Sequence, residues 1–185
     1  MITDEVVVHV MPSPLDEERT SFVAAGVVTF GVEVRRFEYN RSHVEEAIAR
    51  ADASDAARIR ADNADLLAGN EAPRLFAGPS IHVFGSEDDH EYLRFDLFGN
   101  DPHYHCLTPA TPSSEFTNRL VPIDPAIVGD LVPWAMNILR HELAPMLQGA
   151  GGGDLVDGLD QESVSSALDV VEALAEKAGS TTEDA

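Results

Sequence analysis

His103 and His105 stand two apart in the segment Asp101-Pro102-His103-Tyr104-His105-Cys106-Leu107. Successive side chains on an extended strand alternate between faces, so both imidazoles project to one side. Two neutral imidazoles so placed can bind one divalent ion (zinc, manganese or iron) when a carboxylate supplies a third ligand. Asp101 or Asp96 can be that carboxylate, which leaves coordination positions for water or substrate. The same alternation turns Cys106 to the opposite face, which argues against a Cys–His nucleophilic pair built from these neighbours.

A second set of polar residues precedes the first. In Tyr92-Leu93-Arg94-Phe95-Asp96-Leu97-Phe98 the apolar Leu93, Phe95 and Leu97 share a face, and Arg94 and Asp96 share the other. Symmetric pairing around the turn Gly85–Glu91 sets position 84 opposite 92 and His82 opposite Arg94. His82, Arg94 and Asp96 then meet on one face of a hairpin. They are the candidate catalytic residues of a metal-free site, with His82 or His103 as general base. Arg94 is the candidate clamp for an anionic substrate. The competing reading is a cross-strand charge ladder worth about 0.2–1 kcal/mol per pair.

Other motifs point to nothing. His141-Glu142 lacks the second histidine of a zinc-protease helix, since position 145 is proline. Gly149 to Gly153 lacks the Lys-Ser/Thr ending of a phosphate-binding loop, and Asp154 and Asp157 beside it repel phosphate.

The elements that must position these side chains follow from patterning. A short β-branched strand is expected at 5–11. A long strand-like stretch follows at 20–39, divided by Gly26 and Gly31 into a hairpin or a bent strand. Ser42 with Glu45 reads as a capping box that opens one or two helices over 43–68, broken near Ser54 and ending at Gly69-Asn70. Pro73 and Pro79 bracket a loop. Ser80–Phe84 and Tyr92–Phe98 are strand-like, and a loop rich in Pro, Ser and Thr runs from 108 to about Pro122. Asp124-Pro125 starts a helix towards Gln148, which Pro133 should kink or divide. A last helix is expected at Gln161–Lys177, where Val164, Leu168, Val171 and Leu174 recur at helical spacing.

Together these predict an α+β fold: a mostly antiparallel sheet, one mid-chain helical region, and two C-terminal helices packed on it. The expected organisation is a single domain over 1–178, with a glycine hinge at 149–153 and a disordered acidic tail at 179–185.

Charge bounds the partners. The chain has 185 residues, 12 basic against 33 acidic, and a formal net charge of -21. That balance excludes unaided binding to nucleic-acid backbones, where affinity comes from Lys and Arg displacing counterions. It also disfavours anionic membranes. Eleven of the basic residues are Arg and one is Lys177, a composition of GC-rich genomes or of adaptation to high salt. An apolar fraction of 44% is enough to build a core. No hydrophobic run is long enough to span a membrane, and a cytoplasmic location is expected. With one cysteine no intrachain disulfide forms.

An H-x-H pair on a strand is similar to the metal motif of cupins. The spacing from Gly99 to His103 is short for that family and the next glutamate is Glu115, so no cupin function is carried over. The segment Asp101-Pro102-His103-Tyr104-His105 resembles one in uncharacterised bacterial proteins, followed there by a helix similar to Asp124–Leu147. That resemblance implies no activity. The first expectation is therefore a non-catalytic binding or accessory protein, acting on a protein partner or as a homo-oligomer through its C-terminal helices. The alternative is a metal-assisted hydrolase or lyase that uses His103 and His105.

Overall fold

Seven strands are found among the described residues, 6–8 and 12–183, of the computed structural model: β1 (Val6–Val8), β2 (Thr20–Ala25), β3 (Val28–Tyr39), β4 (Arg74–Gly85), β5 (Glu91–Asp96), β6 (His103–Thr108) and β7 (Thr117–Pro122). All pair antiparallel in one sheet, in the order β1-β7-β6-β5-β4-β3-β2. The helices are α1 (Arg41–Arg50), α2 (Ala53–Asp62), α3 (Ala64–Ala68), α4 (Pro125–Val128), α5 (Leu131–Gly149), α6 (Gly153–Val156) and α7 (Gln161–Glu183). The fold is α+β, with the C-terminal helices on the sheet.

One face of the sheet makes the core. Val28, Phe30, Val32, Ile81, Val83, Leu93, Phe95 and Cys106 alternate inward along β3 to β6. They meet Met136, Leu139, Leu143 and Leu147 of α5 and Val164, Leu168 and Val171 of α7. Leu93, Leu139 and Leu168 have no exposed surface. Truncating one of them to Ala costs about 2–5 kcal/mol through lost transfer energy and the cavity left behind. This packing occupies the apolar stripe of α7, so that stripe belongs to the core.

Several elements differ from the sequence expectation, each for a local reason. The stretch 20–39 is a hairpin, turned by Gly26 at φ +65°. Asn40, not Ser42, caps α1: its side chain accepts from the Ser42 N–H, and the His43 ring completes the box. Glu45 instead pairs with Arg41. The loop expected between Pro73 and Pro79 is the first half of β4. Pro79 needs no donor at its position, and its carbonyl still accepts from the Leu97 N–H. Gly78 beside it has φ +155°, and a Cβ there would stand 2.6 Å from the Leu97 carbonyl oxygen, so only glycine lets the chain pass.

The expected loop before Pro122 ends early, because β7 forms at 117–122. That strand is made by partners on both sides, β6 and β1, and only Leu120 and Val121 give it apolar character. Pro133 does not kink α5. It sits in the first turn, where its missing N–H has no intrahelical partner to lose.

The glycine run at 149–153 is a packed turn: Ala150 is buried, and a Cβ on Gly152 would meet the Tyr92 ring at 3.0 Å. Helix α7 continues past Lys177 to Glu183, with the Ser180 hydroxyl donating to the Glu176 carbonyl. Of the expected tail, residues 184–185 lie outside the described residues. So does most of the strand expected at 5–11. Among the described residues no helix is long and apolar enough to cross a membrane.

Candidate functional site

The second face of the sheet is polar and buried. Alternation that sends Leu93, Phe95, Tyr104 and Cys106 to the core sends Arg94, Asp96, His103 and His105 the other way. Register then sets neighbours: Ser80 opposite Asp96, Asp96 opposite His103, and His82 opposite Arg94 opposite His105. Two separate clusters result.

The first contains Glu33, Arg35, His82, Glu91 and Arg94. Arg94 grips Glu91 with two bonds, Nε to Oε1 at 2.7 Å and Nη2 to Oε2 at 2.6 Å. His82 Nδ1 donates to Glu91 Oε1 at 2.6 Å. Arg35 Nε donates to Glu33 Oε2 at 2.8 Å. The remaining guanidinium donors close on backbone carbonyls: Arg94 Nη1 on Ser13, and Arg35 Nη2 on Ser13 and Pro14. Burial alone raises the Glu91 carboxyl, but the bonds and charges of His82 and Arg94 outweigh it and hold Glu91 at about 2.

Glu91 reaches this face through a bulge. The expected register holds at His82 opposite Arg94, but slips between Val83 and Phe84, so Phe84 faces Glu91 and not Tyr92. In a regular strand positions 91 and 94 point to opposite faces; the extra residue brings them together.

The second cluster is Asp96, His103 and His105. Each imidazole Nε2 lies 3.4 Å from Asp96 Oδ2. The two rings are 4.9 Å apart, edge to face. One ligand atom from each residue falls within 4.8 Å of the others. Two donors on a tetrahedral ion with bonds of 2.0–2.1 Å stand about 3.4 Å apart, so both carboxylate–imidazole spacings suit one shared ion.

Outer partners orient all three groups. His103 Nδ1 donates to the Asp101 backbone carbonyl at 2.8 Å, and His105 Nδ1 donates to Asn118 Oδ1 at 2.8 Å. Those bonds leave each Nε2 facing Asp96. The Ser80 hydroxyl donates to Asp96 Oδ1, leaving Oδ2 for the imidazoles. Burial alone raises the Asp96 carboxyl, yet His103 and His105 hold it well below the usual range. Burial also lowers His103, but Asp96 outweighs it and the net shift is upward. His105 is lowered, first by burial.

The sequence candidates are therefore divided. His82 and Arg94 share the predicted face and belong to the first cluster, with the Arg94 donors committed to Glu91 and Ser13. Asp96 joins His103 and His105. Asp101 contributes its backbone carbonyl to His103, while its carboxylate is 61% exposed and 3.8 Å from Nδ1, on the far side of the ring. Of the two carboxylates considered for the metal, Asp96 is the one that converges. His90, next to the acidic turn, is half-buried and its Nε2 donates to the Leu107 carbonyl.

Sequence reasoning missed Glu33, Glu91, Ser80 and Asn118. Extending the β4–β5 register by one pair finds Ser80. Asn118 lay in a segment read as loop, and Glu91 needed the bulge.

The second cluster opens on a cavity of about 460 Å³, bounded by the polar sheet face and by Ala47, Arg50 and Ile59 of α1 and α2. A family described as a domain of unknown function, DUF7700, matches residues 22–175. The chain belongs to the DUF7700 family. The match takes in β3 to β7 and both clusters of the DUF7700 sheet, and ends inside α7. No curated protein and no solved structure matches the chain.

Proposed function

We propose that Asp96, His103 and His105 hold one divalent first-row transition-metal ion, and that the chain is a metal-assisted hydrolase or lyase acting on a small molecule in the adjoining cavity. The observation that carries this reading is the set of three outer hydrogen bonds, from Ser80, to the Asp101 carbonyl and to Asn118. They turn one carboxylate oxygen and two imidazole Nε2 atoms towards one another, within 4.8 Å. A purely structural ion pair needs no such convergence.

Two imidazoles and one carboxylate form a ligand set that leaves at least one position for water or substrate. A metal ion there supplies Lewis acidity and a water acidified towards neutrality. This chain's own residues orient: Ser80 fixes the carboxylate, and Asn118 fixes the His105 tautomer. The net charge of -21 favours a small-molecule substrate over a nucleic acid. The accessory role expected first leaned on a C-terminal helix available to a partner. The buried face of α7 moves the better-supported seat of function to the sheet.

Metal analysis of chelator-stripped protein dialysed against zinc, manganese or ferrous ion tests the proposal. The expected result is one ion per chain, lost in Asp96→Asn and in His103→Ala/His105→Ala while the circular dichroism spectrum is retained. Uptake well below one ion per chain, or an ion that survives the double substitution, overturns it.

A further inference from the structure

The cavity beside the cluster has walls of two kinds. Phe37 and Phe76 stack at 5.3 Å, and Phe98 sets its ring against both, at 6.0 and 5.7 Å. Phe98 in turn meets His103 edge-on at 6.2 Å. An aromatic surface thus runs up to one of the imidazoles. Such surfaces prefer flat, unsaturated ligand bodies.

The charged lining is far richer in arginine than the rest of the molecule. Arg35, Arg50, Arg74 and Arg94 line the cavity, against Asp62, Asp96 and Asp101. Four of 12 basic residues thus sit with only three of 33 acids. Three of these arginines are committed: Arg35 to Glu33, Arg94 to Glu91, and Arg74 to Glu71 through two bonds of 2.8 Å. The side chain of Arg50, the exposed last residue of α1, has no hydrogen bond or ion pair among the described residues. In a chain with so many acids, an arginine at a cavity with its planar fork unclaimed is available to a bound anion. The distant acids do not cancel it, because the screening length at physiological salt is about 8 Å.

We infer that the cavity takes a small organic acid with a flat unsaturated body, an aryl carboxylate or its like. The ring lies against the half-buried Phe37, which Phe76 and Phe98 back from the core, and Arg50 receives the carboxylate. This rests on the metal-site reading only for what happens to the ligand afterwards; the recognition elements are independent of the ion.

Isothermal titration with benzoate, benzamide and acetate at fixed ionic strength reads both walls, on zinc-loaded and on metal-free protein. Benzoate is expected to bind at least tenfold more tightly than neutral benzamide, and at least tenfold more tightly than acetate, which has no ring. Arg50→Gln should remove the preference for benzoate over benzamide in both protein forms, with zinc uptake and melting temperature unchanged. Equal affinities for benzoate and benzamide, or a preference that survives Arg50→Gln, overturn the inference. If zinc fails to bind but the metal-free chain still prefers benzoate through Arg50, the metal reading falls and this one stands.

Discussion

Two clusters of buried ionisable groups share the polar face of the sheet, and they are built to opposite ends. In the Glu33–Arg35–His82–Glu91–Arg94 cluster two carboxylates meet two guanidiniums, and donors point at acceptors. The backbone carbonyls of Ser13 and Pro14 take further guanidinium donors, and His82 Nε2 is left without a hydrogen bond, 3.4 Å from Glu33 Oε2. In the Asp96–His103–His105 cluster one carboxylate meets two imidazoles whose N–H donors are tied to outward acceptors. Both clusters are largely buried. The direction of the donors separates a largely paired network from a cluster in which two imidazole Nε2 atoms converge on one carboxylate, the arrangement on which the proposed metal site rests. Charge balance alone says less, because a paired buried ion is costly to break whatever its purpose.

The largest effect should come from breaking the largely paired cluster. Glu91→Gln leaves the Arg94 guanidinium buried beside a neutral amide. It is expected to destabilise the protein by about 3–5 kcal/mol, as for other buried pairs that lose one partner. Urea denaturation at pH 7 measures this. A loss under 1 kcal/mol would show that buried Arg94 does not depend on Glu91 for its charge pairing. Metal uptake in this variant should stay at one ion per folded chain, which separates the clusters by function.

The same residue sets an acid limit. The Glu91 carboxyl is held at about 2 against an ordinary value of 4.5. The groups that face it are His82 from β4 and Arg94 on its own strand, with Glu33 and Arg35 of β3 beyond His82. A depressed carboxyl contributes stability that is fully present above pH 4.5 and is lost as pH falls towards 2. At 1.36 kcal/mol per unit the contribution is about 3 kcal/mol. Stability measured between pH 6 and pH 2 should fall more steeply in the wild type than in Glu91→Gln. Parallel profiles would assign the acid limb elsewhere.

How far the sequence carried this contrast depends on what each residue needed. The alternation of Leu93, Phe95 and Leu97 against Arg94 and Asp96 is a local, two-residue period. It sets His82, Arg94 and Asp96 on one face of a hairpin, and His103 and His105 on one side of their own strand. Their division into two clusters was not legible. It depends on a bulge at Tyr92 that a symmetric hairpin does not announce, and on Asn118, from a strand whose own sequence is loop-like. Sheet neighbours such as β6 and β1 created that strand, and those contacts are far away in sequence. The helices show the same limit. The apolar stripe of α7 was read at the right spacing, but its seat in the core, and not on a partner, is a tertiary fact. Pro133 reads as a kink or a division because the sequence does not fix its place within the helix; the first turn tolerates a proline that would break the ladder further in.

A middle-sized effect sharpens the contrast from the other side. Asn118→Ala removes the acceptor that fixes the His105 tautomer and no charge. It should weaken zinc affinity by roughly 10–100-fold, the usual cost of losing an outer partner of a metal ligand. Competition against a chromogenic chelator reads this directly. Unchanged affinity would mean that His105 keeps its orientation through packing alone, without the Asn118 bond.

The smallest effect calibrates the other two. Arg41 and Glu45 form an ion pair of 2.7 Å on α1, as short as the bonds inside the largely paired cluster, but their side chains are 65% and 53% exposed. If geometry alone set the worth of a pair, Arg41→Ala would rival Glu91→Gln. Water solvates both partners when the pair opens, and the long side chains regain rotamer freedom, so the expected cost is below about 0.5 kcal/mol. A double-mutant cycle on Arg41 and Glu45 at low salt isolates that coupling, and it should shrink further in 1 M salt. A coupling energy above 1 kcal/mol there would make bond length, not desolvation, the deciding variable. The distinction between the two buried clusters would then have to be rebuilt on distances, where they differ least.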